Sequence, residues 1–260
     1  MKGIIKNKKN RKKVMNICEK FGTILECKEL IMDYTDKMLL VKEKWIKKNE
    51  ELLRNGVFIM DTTNVYIDED VEIGEDSVIY PNVYIEKGSK LGKNVTILPN
   101  SFISNSIIKD GTTIDSSKIV DSEVGENSVV GPMSHLRNHS VIIGDARIGN
   151  FVEFKNSTFG KGSKCAHLTY IGDSDVGEKV NFGCGVVTVN YDGKNKFRTV
   201  IGDGAFIGSN VNLVAPVKIG KNALLAAGST IDHDVADGEM GIARPRQENK
   251  EGFGYKYKNK

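Results

Sequence analysis

An aliphatic side chain recurs at every sixth residue over much of this chain. Ile67, Ile73, Ile79, Ile85, Leu91, Ile97 and Ile103 form one unbroken register, and Val71, Ser77, Val83, Ser89, Val95 and Ser101 stand two residues ahead of its members. The phase then shifts, and a second register runs through Val124, Val130, Leu136, Ile142, Ile148 and Phe154. Five-residue steps lead from Phe154 to Phe159 and from Ile171 to Val176, and a third register of sixes runs from Ile201 to Ile231. A helix would repeat every ~3.6 residues and an ordinary strand every ~2. Six residues make one short strand and a corner, and three such units close a triangular coil. The aliphatic points inward onto its equivalent in the next coil. A glycine after it, as at Gly74, Gly92 and Gly125, admits a tight corner. The pattern predicts a mainly β protein, a parallel β-helix of hexapeptide repeats over residues 61–236, each coil buried only against its neighbours.

Residues 1–60 read as a short helical N-terminal segment. Helical character spans about 10 to 55. VMNICEKF is short and mixed, whereas MLLVKEKWIKKNEELLRNG sets Leu39, Leu40, Trp45, Leu52 and Leu53 among charges. Gly56 is placed to stop the helix, and Trp45, the only tryptophan, reads as its packing anchor. Residues 237–260 form a C-terminal tail.

Composition narrows the function classes. A net charge of +3 over 260 residues gives no argument for nucleic acid. No apolar run reaches membrane-spanning length. The basic start MKGIIKNKKNRKK has no apolar core, so it reads as a solvated segment and not as a secretory signal. The four cysteines, Cys18, Cys27, Cys165 and Cys184, form no C-x-x-C pair. They read as reduced thiols of a cytoplasmic protein, with no metal site.

The register also places polar residues. Arg137 and Lys155 each follow an inward residue, Leu136 and Phe154, one coil apart. They are expected to stack as two cations without a carboxylate partner, which makes a phosphate grip. His167, Cys184, Ser209 and Ala227 each stand two residues after Cys165, Phe182, Ile207 and Leu225. They share one corner if the polar stretch NYDGKNKFRT bulges out by about one unit. Coils stack at roughly 4.8 Å, so four of them span about 15 Å.

The stretches GPMSHLRNHS, GNFVEFKNSTFGKGSKCAHLTYIGD, VNFGCGVVTVNYDGKNKFRTVIGD, FIGSNVNLVAPVKIG and MGIARPRQENKEGF resemble, in order and spacing, the acetyltransferase half of one family. It is the bifunctional N-acetylglucosamine-1-phosphate uridyltransferase/glucosamine-1-phosphate acetyltransferase family. A looser match at KMLLVKEKWIKKNEELLRNGVFIMD resembles the helical arm that joins its two domains. The Gly-rich L-x-A-G-x-G-T-R-M nucleotide loop of the uridyltransferase domain has no counterpart, so neither uridyl transfer nor a magnesium site is expected.

The resemblance implies left-handed winding, against the general preference for right-handed crossovers. It implies acetyl-CoA as co-substrate and an amino-sugar phosphate as acceptor. It also implies a homotrimer with sites between subunits. His167 corresponds to the catalytic base. Arg137, Lys155, Tyr170, Asn181, Asn190 and Lys196 correspond to sugar-phosphate contacts. Cys184, Asn190, Tyr191, Ser209, Ala227 and Arg244 correspond to acetyl-CoA contacts, so the shared corner reads as a track for the pantetheine arm. A histidine titrating near ~6.5 can take the proton of an attacking amine. The Cys184 N–H is the candidate donor to the carbonyl oxygen, and Glu153 a candidate to orient His167. His135, His139 and His233 read as ordinary solenoid histidines. Two other readings are a different amino-sugar acceptor and an inactive trimeric scaffold or regulatory paralogue.

Overall fold

The computed structural model describes the backbone of residues 24–257 and the side chains of 35–256. The basic run at the start, the VMNICEKF stretch and the side chains of Cys18 and Cys27 lie outside the described residues. Ile24–Arg54 is a single α-helix of 31 residues. Gly56 follows it with φ 84°, the left-handed conformation that glycine adopts at least cost.

Beyond the helix the chain coils into a parallel β-solenoid with three faces, sheets of 11, 10 and 9 strands. Most strands are two or three residues long. The inward side chains form a column behind each face. On the first, Ile97, Ile114, Val130, Ile148 and Cys165 lie in successive coils. The second carries Ile103, Ile119, Leu136, Phe154 and Ile171. The third carries Ile108, Val124, Ile142, Phe159 and Val176. All are buried. Burying each large aliphatic contributes roughly 1.5–3 kcal/mol, and this stacking holds the coils together.

The small residues two places ahead have their own task. The Ser77 hydroxyl donates to Gly92 O at 3.0 Å and accepts from Val95 N at 3.0 Å, so it joins two coils at a corner. The aliphatic column continues between Ile103 and Val124. Ile108, Ile114 and Ile119 maintain it, all 0% exposed, on steps of five, six, five and five residues. The shift of phase is therefore a set of shortened corners. The coil extends from Phe58–Ile59 to Met240–Gly241, the two outermost strands of the first face. It passes the 61–236 boundaries at both ends.

The helix docks on the first coils through Trp45. Its ring meets Tyr66 edge-on at 5.0 Å, and Tyr66 stacks on Tyr84 at 4.5 Å. Buried Asn49 donates to Thr62 O and Val65 O, both at 2.9 Å. Among the described residues no helix is long and apolar enough to cross a membrane.

Candidate active site

His167 ends the strand Lys164–His167, in which Cys165 faces the core. Cys165, Phe182, Ile207 and Leu225 are register partners in four successive coils. Two residues on from each, His167, Cys184, Ser209 and Ala227 form a column at the corner between the first and second faces. Backbone bonds tie it together. Gly185 N donates to His167 O (3.3 Å), Asn210 N to Cys184 O (2.7 Å) and Gly228 N to Ser209 O (2.8 Å). The Thr169 hydroxyl also donates to His167 O, at 2.7 Å. The imidazole itself is exposed; no hydrogen bond to its nitrogens is found among the described residues.

Adjacent coils stack closely along this column. A Cβ on Gly183 would meet Ser209 N at 2.5 Å, and one on Gly208 would meet Ala227 N at 2.6 Å. Backbone and small side chains therefore make up this corner. The nearest atom to a Cβ on Gly228 would be Arg244 Cδ, at 4.0 Å, so Arg244 lies at the far end. Phe182 and Ile207 pair twenty-five residues apart, whereas Ile207 and Leu225 pair at eighteen. The seven extra residues, one more than a repeat unit, form the loop around 190–198. It is pinched by an antiparallel bridge between Tyr191 and Lys196. The Tyr191 hydroxyl donates to Gly193 O at 2.7 Å.

Arg137 and Lys155 are register partners on the second face, as the sequence predicts. They are not free of carboxylates, and that expectation is corrected. Arg137 pairs with Glu153 at 2.6 Å, and Lys155 with Asp173 at 3.2 Å. Glu153 shares the outward side of its strand with Lys155, two residues on, and Asp173 lies one coil beyond Lys155. No hydrogen bond from Glu153 to His167 is found among the described residues. The Glu153 carboxylate accepts from Arg137 Nε at 2.8 Å, and its strand position is stacked between His135 and Tyr170 on the second face.

Asp173 is 5% exposed. It also accepts from Asn156 Nδ2 at 2.6 Å and from Asn190 Nδ2. Burial works against its charge, but the bonds from Asn156, Lys155 and Asn190 outweigh it and hold the carboxyl below its ordinary pKa. Burial likewise opposes the Lys155 ammonium, and contacts with Lys196 and Asp173 overcome it, so the pKa of Lys155 is raised. That of Lys196 is lowered by its contact with Lys155 and the charge there. Tyr170 lies with its hydroxyl over Gly172. The structure thus gathers Arg137, Lys155, Tyr170, Asn190 and Lys196. Asn181 stands apart, on the first face between Lys164 and Phe206.

The other nucleophiles and bases fall outside this arrangement. Burial pushes the Cys165 thiol up to about 12, leaving almost no thiolate at neutral pH. Burial holds His135 below its ordinary pKa despite Glu153 nearby. His139 occupies a corner with φ 61°, and His233 bonds Asp232 at 2.8 Å. The sequence reading missed Asp173, Asn156 and Thr169. A one-coil step from Lys155 would have found Asp173.

Comparison with known proteins agrees with the repeat and the fold. Residues 198–233 match the bacterial transferase hexapeptide model of six repeats, and residues 62–158 match the model of the GMPPB C-terminal domain. A UDP-N-acetylglucosamine acyltransferase from Francisella novicida shares the fold, with a TM-score of 0.50 at 19% identity over 72% of this chain and 67% of that one. Repeat and fold together define the class, that of the hexapeptide-repeat β-solenoids. Within it, the chain is a homologue of the C-terminal part of bifunctional GlmU proteins. It is 54% identical to GlmU of an Exiguobacterium species over 80% of this chain and 46% of that protein. It is 50% identical to GlmU of Clostridioides difficile over 86% of this chain and 50% of that protein. The chain spans about half the length of the curated relatives it matches.

Proposed function

We propose that this chain transfers an acetyl group from acetyl-CoA to the amine of glucosamine 1-phosphate, giving N-acetylglucosamine 1-phosphate. The observation that carries the proposal is a histidine-headed column of small residues at one corner together with a cluster of three cations on the second face. His167 takes the proton from the amine as its nitrogen bonds to the acetyl carbon. It returns that proton to the sulfur when the C–S bond breaks. The Cys184 N–H donates to the carbonyl oxygen as charge develops there. Ser209, Ala227, Asn190, Tyr191 and Arg244 hold the coenzyme along the column. Arg137, Lys155 and Lys196 hold the phosphate, and Tyr170, Asn181 and Asn190 the sugar. The carboxylates beside Arg137 and Lys155 do not exhaust these side chains. A guanidinium has five N–H donors and an ammonium three.

We propose further that the site is completed in a homotrimer. Asn181 and the cation cluster lie on different faces of one chain, so a single small acceptor meets both only where two chains adjoin. Phe151 and Leu168, 61% and 60% exposed, give the same corner an apolar surface for such a neighbour. Light scattering tests this, and a monomer with full activity would refute it. Replacing His167 by alanine should lower acetyl transfer by about 10²–10⁴-fold, followed as thiol release with glucosamine 1-phosphate. Near-normal turnover in a folded oligomer would sink the assignment of the base.

A further inference from the structure

We infer that Asp173 is a positioning residue that clasps the extruded loop to the coil and aims Lys155 and Asn190 at the acceptor. The inference rests on the proposed function for the identity of that acceptor, but the clasp itself is read from geometry. Asp173 bonds both ends of the loop. Its side chain accepts from Asn190, where the loop leaves the coil, and its carbonyl accepts from Thr199 N at 3.2 Å, where the loop returns. Phe197 N closes the same neck by donating to Asn190 O at 2.9 Å. The Asp173 N–H donates to Lys155 O at 2.9 Å, so the residue is fixed on the coil that it clasps.

The carboxylate meets three donors: Lys155 Nζ, Asn156 Nδ2 and Asn190 Nδ2. Two of them belong to the proposed acceptor set. A lysine side chain is floppy, and ordering it on binding opposes affinity. An ammonium held by one carboxylate is already ordered and keeps two donors for a phosphate. Asn190 has a similar need. Its amide nitrogen is held by Asp173, which leaves the amide oxygen free to accept. The clasp also sets the position of Lys196, because the neck of the loop decides where the loop's own cation stands relative to Lys155.

Asp173→Asn keeps the size of the side chain and suits the φ of 48° at this position. It removes the charge and turns an acceptor into a donor facing other donors. Loss of a charge-assisted bond of this kind should raise the KM for glucosamine 1-phosphate about tenfold. The KM for acetyl-CoA, which Asn190 also contacts in the proposed site, should rise less than that for the acceptor, and kcat at saturating substrates should change less than about twofold. Hydrogen exchange should quicken at the Phe197 amide in the free protein, a readout that needs no substrate. Faster exchange with no acetyl transfer even in the unsubstituted protein would leave the clasp standing and overturn the acceptor. Unchanged exchange and an unchanged acceptor KM would overturn the clasp. A lower acceptor KM would also overturn it, by showing that the carboxylate competes with the phosphate. Should the variant fail to assemble, Asn156→Gly removes one partner of Asp173 at a position whose φ of 49° suits glycine. It should shift the acceptor KM in the same direction by about threefold; no shift would count against the clasp.

Discussion

The early coils and the later coils obey one rule and depart from it differently. From Phe58 to about residue 120 the core columns are almost wholly isoleucine, leucine and valine. The outward face there carries Tyr66 stacked on Tyr84 and Lys118 over the Phe102 ring. From Val124 onward the columns admit Phe154, Phe159, Phe182, Cys165 and the hydroxyl of Thr188, which accepts from Gly172 N at 2.8 Å. The later coils also hold the seven-residue excursion, the buried Asp173 and the His167 corner. Aromatic core residues and the buried Asp173 and Asn190 thus gather where the candidate chemistry is. A chain specifies its fold by agreement across levels and tends to break local rules at functional sites. Here the early coils supply a regular stack, and the later ones position side chains on it.

The strongest way to break that distinction is to cut the same hole in both halves. Phe154→Ala should cost about 3–5 kcal/mol and Ile97→Ala about 2–5 kcal/mol, measured by urea unfolding at fixed protein concentration. Both are fully buried, and Phe154 also loses its edge-on contact with Phe159 at 5.0 Å. Their effect on chemistry should differ. Lys155 is the next residue after Phe154, so the folded Phe154→Ala protein should show a raised acceptor KM. The folded Ile97→Ala protein should show the ordinary one. A comparable acceptor defect in both would mean that the early coils position the site as much as the later ones do.

A smaller effect probes the other end of the stack. Tyr66 links Trp45 on the helix to Tyr84 on the coil. Tyr66→Ala removes two aromatic pairs worth about 0.5–1.5 kcal/mol each beyond buried area. Because Trp45 is the only tryptophan, its fluorescence reports this contact alone. The expected outcome is a red shift and easier quenching with acetyl transfer unaffected. A quenching profile like that of the unsubstituted protein would show that the other contacts, Asn49 with Thr62 and Val65, Trp45 with Asp68 and Lys44 with Glu69, hold the helix down.

How much of this was legible follows from what the period encodes. Each inward residue is named by its place in a count of six, so the coil and the shared corner of His167, Cys184, Ser209 and Ala227 could be read directly. Ile108, Ile114 and Ile119 were not placed, because corners shortened to five keep the aliphatic but lose the count. The pairing of Arg137 with Glu153 and of Lys155 with Asp173 was missed for a different reason. A column of like residues does not show what faces it across the same strand or one coil on. The location of Asn181 on another face was readable too, since it sits one residue before inward Phe182. What no spacing could supply was the closing of the loop neck, which depends on the side-chain bond from Asn190 to Asp173.

The smallest expected effect is the sharpest comparison, because it holds the chemistry constant. Lys90 pairs with Glu72 at 3.0 Å across an eighteen-residue step. Lys155 pairs with Asp173 at 3.2 Å across the same step. Both are lysine–carboxylate bridges between adjacent coils. The first has side chains 60% and 69% exposed, the second 13% and 7%. Water and salt screen an exposed pair, and two long side chains must be ordered to make it, so Glu72→Gln should cost less than about 1 kcal/mol. Its effect should fade further in high salt, and acceptor KM should not move. The carboxylate of the later pair is buried and has two amide partners besides the lysine, so its removal strands the buried Asn190 donor. If Glu72→Gln destabilised the protein as much as Asp173→Asn, burial would not be what separates the two bridges. The contrast between a stacking half and a positioning half would then have to rest on the core columns alone.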